Sequence, residues 1–274
     1  MISSLAGDII GSRFEFDNGA PLTALFSKKS TYTDDSILSI ATADHILSGE
    51  PYSKLYLEYA QAFPNRGWGG SFAQWVKGGG GSPYNSYGNG SAMRVGPVGW
   101  SFNTYEEVME EAKRSAECTH NHPEGIKGAQ AVAVAIWMAR NKKTKEEIKE
   151  ILSRAPFEYD LSIKMDDFPK KFDVTCQGTI PRCIAILMET DDFVSAMVAG
   201  IKLGGDIDTN CCIVGSICDV IYGLPQKEII ECVYKRIPYQ LADTTTEFVK
   251  RYIDPKFVAP VPKNIQDAVQ GLFL

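Results

Sequence analysis

No stretch of this 274-residue chain approaches the run of roughly 20 apolar residues that spans a bilayer. The opening residues, Met1-Ile2-Ser3-Ser4-Leu5, carry neither a basic cluster nor a long apolar run, so they do not read as a secretory leader. Convincing strands of alternating polarity are missing. Histidine is scarce, at three residues, and none of the seven cysteines forms a CxxC pair. Basic charge is in deficit: 28 Lys and Arg against 34 Asp and Glu leave a net charge of −6. These absences argue against a membrane span, a zinc ribbon and a general nucleic-acid partner. They lead us to expect a cytoplasmic protein with reduced, buried thiols. A phosphorylated small molecule stays compatible with the acidic balance if metal or local dipoles supply positive charge.

What is present is ordinary globular material, 44% hydrophobic and 23% charged. Helical periodicity predicts helices over Asp35–Leu47, Tyr105–Glu117, Ile126–Ala139, Lys145–Ser153, Val174–Glu189, Asp192–Leu203, Thr209–Tyr222 and Gln226–Lys235. Ile126–Ala139 is apolar nearly all round, which predicts a central buried helix. In Tyr105–Glu117, Glu110 and Arg114 are spaced to pair on the exposed face. The expected class is all-α, with one domain over 1–274. Residues 67–99 stand apart. They hold eleven of the 24 glycines and read as a long, helix-poor loop. Interleaved aromatics such as Trp68, Trp75 and Tyr84 make it a structured loop that lets backbone approach a ligand.

Two acidic clusters recur at predicted helix starts. Thr33-Asp34-Asp35-Ser36 opens one helix, and Asp206-Ile207-Asp208-Thr209 opens another after Gly204-Gly205. An N-cap needs one such oxygen, so capping alone explains neither. If the two starts face each other, four carboxylates converge and demand protons or cations. All-oxygen donors suit Mg²⁺ or Mn²⁺ rather than zinc, and two divalent ions would balance four aspartates. Asp8 and Glu15, in Gly7-Asp8-Ile9-Ile10-Gly11-Ser12-Arg13-Phe14-Glu15, read on their own as solvated helix charges. His120 and His122 lack partners for a zinc site. Arg94 suits either a phosphate or carboxylate ligand, or a salt bridge or bond to loop carbonyls within the protein.

Four motifs, GDIIGSRFE at 7–15, TDDS at 33–36, GNGSAMR at 88–94 and GGDIDT at 204–209, occur in one order. Together they resemble the ADP-ribosylglycohydrolase family, from about Leu5 to Gly223, with further C-terminal helices and a tail over 224–274. The resemblance implies an all-helical fold with two Mg²⁺ (or Mn²⁺) ions, hydrolysing the bond between ADP-ribose and an acceptor. It implies Thr33, Asp34, Asp35, Asp206, Asp208 and Thr209 as metal ligands. Glu15 would be the base or position substrate, with Asp34 and Asp35 as the other candidate bases. Ser86, Tyr87, Gly88, Asn89, Gly90 and Met93 would wrap the diphosphate and adenosine, Tyr87 by stacking, and His120 would lie near the distal nucleotide. Ile207 departs from the family pattern, where a small hydroxyl residue is usual. Two other functions fit the same residues: a non-catalytic ADP-ribose binder, and a two-metal nucleotide phosphohydrolase.

Overall fold

The computed structural model of the chain describes residues 1–16, 21–169 and 171–260. Among the described residues the regular structure is helical, apart from a lone antiparallel bridge between Gly88 and Thr175. In chain order the helices are α1 (Ile2–Gly11), α2 (Asp34–Ser48), α3 (Tyr52–Ala62), α4 (Gly70–Lys77), α5 (Gly90–Arg94), α6 (Gly96–Ser101) and α7 (Tyr105–Glu117). They continue as α8 (Pro123–Arg140), α9 (Lys145–Leu152), α10 (Cys176–Met188), α11 (Phe193–Leu203), α12 (Ile207–Ile221), α13 (Lys227–Tyr234) and α14 (Tyr239–Tyr252). No helix of the described residues is long and apolar enough to cross a membrane. All seven cysteines are free thiols, five of them buried.

Every segment that periodicity marked as helical is helical, with ends shifted by up to three residues. The glycine-rich stretch differs from expectation. It is not helix-poor but carries α4, α5 and α6, each too short for its periodicity to rise above the glycines. Helix α14 also escaped the periodicity, because Thr244-Thr245-Thr246 interrupts its apolar pattern. The three hydroxyls each bond back to the carbonyl four residues earlier, which keeps them within the helix. Arg114 pairs with Glu111 at 2.8 Å rather than with Glu110. Glu111 is the buried member of that face and also meets His45 Nε2 at 3.1 Å. The tail is described only as far as residue 260. Phe257 is buried there, and the rest of the tail, Phe273 included, lies outside the described residues.

Two helices make the centre. All of α1 is buried, and its apolar residues Ile2, Leu5, Ile9 and Ile10 leave no polar face for water. It lies against α12 at a distance that only missing side chains permit. A Cβ on Gly7 would fall 2.1 Å from the Cys211 carbonyl oxygen, and one on Gly11 would fall 2.4 Å from Asp208 Cα. Around this pair pack α2, α8, α10 and α11. The central helix α8 buries Ala129, Ala131 to Ala135 and Ile136, as its composition predicts.

The close contact positions a functional residue, since Gly11 abuts the backbone of Asp208. Gly11→Ala is therefore expected to cost about 1–3 kcal/mol in stability, the usual range for overpacking a filled core. A denaturant midpoint measures it. An unchanged midpoint would mean that α1 and α12 separate freely.

Candidate active site

Three helix ends deliver the acidic groups. Thr33 caps α2, its hydroxyl accepting from the Asp35 N–H at 3.3 Å, so Asp34 and Asp35 occupy the first turn. Gly204 (φ 77°) and Gly205 (φ 84°) take left-handed backbone after α11, which turns the chain so that Asp206 opens α12. The third end is the C-terminus of α1. There Phe14, fully buried and bonded to the Gly11 carbonyl at 2.7 Å, anchors the turn that carries Glu15.

The expected facing of the two helix starts is observed. Thr209 Oγ1 donates to Asp35 Oδ2 at 3.4 Å across the gap. Oxygens of Asp8, Asp35 and Asp208 lie within 4.8 Å of one another, and so do oxygens of Glu15, Asp206 and Asp208. Asp208 belongs to both groups. Asp34 borders the same space, close to Gly67, where a Cβ would come within 3.1 Å of its Oδ1.

Asp8 corrects the sequence reading. It is not solvated but wholly buried. Its two oxygens accept from the Thr33 N–H at 2.9 Å, the Thr33 hydroxyl at 2.7 Å, the Ser36 N–H at 3.2 Å and the Ser36 hydroxyl. Asp8 therefore ties the start of α2 to α1 and sets the direction of the Thr33 hydroxyl. Only the apolar setting of Asp8, between Leu5 and Ile9, hinted at burial.

The electrostatics are severe. Burial first, and the neighbouring Asp8 charge second, push the Asp34 and Asp35 carboxyls well above the usual range. Burial followed by the Asp35 charge does the same to Asp208, while burial raises Asp8 and Asp206. Glu15 is only partly buried, yet burial and the Asp206 charge lift it to about 7. Asp35 Oδ1 is a buried oxygen with no hydrogen-bond partner among the described residues. An orphaned carboxylate oxygen inside an all-oxygen cluster is what a hard divalent cation would satisfy, so these residues fit such an ion.

The carboxylates wall one end of a cavity of about 440 Å³, within the size range of small-ligand sites. Its other end is formed by Ser86, Gly88, Gly90 and His120, with Met93 and Asn89 between. Asn89 is committed to the acidic end, since its Nδ2 donates to Asp206 Oδ2 at 2.7 Å and to Thr179 Oγ1 at 3.1 Å. Two N–H groups of this loop are spent within the protein: that of Gly88 on Ser86 Oγ at 3.1 Å, and that of Asn89 on the Val174 carbonyl at 2.7 Å. Backbone cradling of a ligand thus falls to fewer N–H groups than the glycine content suggests.

Two predicted site residues stand outside the cavity wall. Thr33 sits behind it with Asp8. Tyr87, half exposed, turns its ring edge-on to His122 at 5.2 Å, so it does not stack over the cavity. His122 caps α8 instead of facing a ligand. Arg94 bonds the α7 carbonyl of Ser115 at 2.8 Å and also borders the cavity, with Nε and Nη1 lacking a hydrogen-bond partner among the described residues. Two unforeseen rings, Phe16 (84% exposed) and Phe172 (45% exposed), stand 6.2 Å apart at the cavity mouth, next to Glu15. Ile207 is buried in the core, so its side chain takes no part in the site.

Comparison with known proteins agrees with this geometry. The sequence profile of the ADP-ribosylglycohydrolase family matches residues 1–254. The chain is 23% identical to ADP-ribosylhydrolase ARH3 of Homo sapiens, over 82% of this chain and 85% of the relative. With ADP-ribosylhydrolase ARH3 of Danio rerio it shares 22%, over 82% of each. A solved structure described as an ADP-ribosylglycohydrolase-related protein complex superposes with a TM-score of 0.69, at 18% identity, covering 92% of this chain and 95% of that one. The chain belongs to the ADP-ribosylglycohydrolase family, and it is a hydrolase.

Proposed function

We propose that this protein hydrolyses the N- or O-glycosidic bond linking ADP-ribose to an acceptor, with Mg²⁺ (or Mn²⁺) bound among Thr33, Asp34, Asp35, Asp206, Asp208 and Thr209. The observation that carries the reading is a cavity with unlike ends: five carboxylates at one, and a glycine-lined recess with His120 at the other. The acidic end suits a cation, a sugar's hydroxyls and a transition state of growing positive charge. Bound there, divalent ions would orient the ribose hydroxyls and acidify a water.

The protein's own groups supply the remaining steps. Glu15 stands at the edge of the cluster, next to Asp206 and Asp208, and is the most accessible carboxyl of its group. A carboxylate at this edge accepts a proton from an attacking water and releases it again. Asn89 holds Asp206 in place, and Asp8 holds the start of α2, so the ligand oxygens are set before substrate arrives. The rings of Phe16 and Phe172 flank the side from which the acceptor departs, shielding it from water.

The test is release of free ADP-ribose from arginine-linked, serine-linked and O-acetyl substrates, with and without EDTA. Metal-dependent release from any of them supports the reading and names the linkage. AMP as the product would replace it with diphosphate cleavage, and tight ADP-ribose binding without any product would leave a binding protein. Glu15→Gln is expected to lower kcat by about 10²–10⁴-fold, the usual contribution of a positioned base. It should also erase the acid limb of the rate–pH profile. A variant that keeps both rate and profile would move the base to Asp34 or Asp35.

A further inference from the structure

His120 is the one histidine that lines the cavity, and its two ring nitrogens face different surroundings. Nδ1 lies 2.8 Å from the Thr119 hydroxyl. Nε2 faces the recess between Gly88 and Gly90, where a Cβ on either glycine would stand 3.5 or 3.2 Å from it. Among the described residues, no protein group hydrogen-bonds Nε2.

Which nitrogen carries the proton follows from the donors behind the ring. Arg94 is fully buried at the end of α5, with its guanidinium 4.1 Å over the Tyr56 ring. Its Nη2 donates to the Ser115 carbonyl at 2.8 Å and to Thr119 Oγ1 at 2.8 Å. A guanidinium only donates. Thr119 Oγ1 must therefore accept from Arg94, which leaves its own hydrogen for a second partner. The Tyr84 hydroxyl and the Cys118 thiol stand beside it, but its contacts of defined length are to the Ala116 carbonyl at 3.5 Å and to His120 Nδ1 at 2.8 Å. A hydroxyl can also accept from a ring N–H, so the length of the contact does not set its direction. The Arg94 cation on the Thr119 side does, because it favours the ring's lone pair toward itself and the ring N–H away from it. It also strengthens, as a donor, the hydroxyl that accepts from it. With Nδ1 accepting, the ring proton sits on Nε2.

We propose that Arg94 and Thr119 are positioning residues that lock His120 as the neutral Nε2–H tautomer, a fixed hydrogen-bond donor aimed into the glycine-lined recess. Such a donor selects an acceptor atom, a phosphate or hydroxyl oxygen or an unprotonated ring nitrogen, and rejects a ligand that presents only donors there. The buried Arg94 charge also opposes protonation of the ring, which burial already disfavours. Gly90 is part of the device, because a Cβ there would stand 3.2 Å from the donor and crowd it. That the acceptor belongs to ADP-ribose rests on the function proposed above. The tautomer does not.

Long-range ¹H–¹⁵N correlation spectra of the full chain labelled with ¹⁵N-histidine decide it, with His120→Gln identifying the His120 signals among three histidines. The expected pattern is a protonated Nε2 and an unprotonated Nδ1. Thr119→Ser keeps this pattern, whereas Thr119→Val loses it and binds ADP-ribose about tenfold more weakly, the worth of one good hydrogen bond. A protonated Nδ1 in the unmutated protein overturns the proposal without any variant having to fold, and so does an unchanged pattern in Thr119→Val. Titration with ADP-ribose separates the two readings. A saturable shift at Nε2 joins donor to ligand. The tautomer pattern without any shift refutes the ADP-ribose reading of this recess and leaves the relay intact.

Discussion

Asp208→Ala should abolish turnover while leaving a folded, and in the absence of metal a more stable, protein. Asp208 is the carboxylate common to both acidic groups, one with Asp8 and Asp35, the other with Glu15 and Asp206. Its loss removes a shared oxygen donor from any ion held between the two helix starts. A divalent ion contributes several kcal/mol to the transition state, and each 1.36 kcal/mol is a factor of ten, so a fall of about a thousandfold or more is expected. The structural side runs the other way. Asp208 is buried among like charges, and removing it relieves their repulsion. Steady-state rates with saturating Mg²⁺, set beside thermal melts in EDTA, check both halves. A variant with near-native rates would sink the metal-centre reading, and one that melts far lower in EDTA would make Asp208 a structural residue.

The second large effect is an inverted pH dependence of stability. In the metal-free protein the cluster carboxyls have folded-state pKa values above their unfolded values, with Glu15 at about 7. A raised carboxyl binds more protons in the folded state than in the unfolded state. Stability therefore falls as pH rises from the unfolded carboxyl range, about 4, up through the raised values. Metal-free protein should melt higher at pH 5.5 than at pH 8, the reverse of a protein whose carboxylates are salt-bridged. Saturating Mg²⁺ should abolish the slope, since a cation holds the same groups ionised. At a hundredfold excess over Kd the ion adds about 2.7 kcal/mol, on the order of 5–10 °C for a chain of this size. Melts at several pH values, with EDTA or Mg²⁺, measure it. A metal-free Tm that climbs steadily from pH 5.5 to 8 would falsify the picture of a proton-hungry centre.

Much of this was legible in the chain. Asp34-Asp35 and Asp206-Asp208 declare themselves because two carboxylates at a helix start exceed what a cap needs, and Gly204-Gly205 marks the break before the second pair. Residues 126–139 declare a buried helix by lacking a polar face. Proximity was not legible. Nothing local in TDDS or GGDIDT says that Thr209 meets Asp35, because that contact is made by α2 meeting α12, with Asp8 of α1 holding the start of α2. Asp8 was misread for the same reason. A lone aspartate between isoleucines and glycines reads as solvated until the partners that neutralise its cost, the N–H and hydroxyl groups of Thr33 and Ser36, are seen beside it. Tyr87 shows a different limit, since it sits in the glycine-rich loop beside cavity-lining Ser86 and Gly88 but packs its ring against His122, and sequence position carries no direction.

The glycine contact between α1 and α12 also sets a clock. Cys211, against which Gly7 lies, is synthesised about 200 residues later, which at about 5–20 residues per second is roughly ten to forty seconds of translation. Throughout that interval Ile2, Leu5, Ile9 and Ile10 have no α12 to cover them. The nascent chain thus carries a greasy, unmatched helix until α12 emerges, and neither group of clustered carboxylates is complete until Asp208 has left the ribosome.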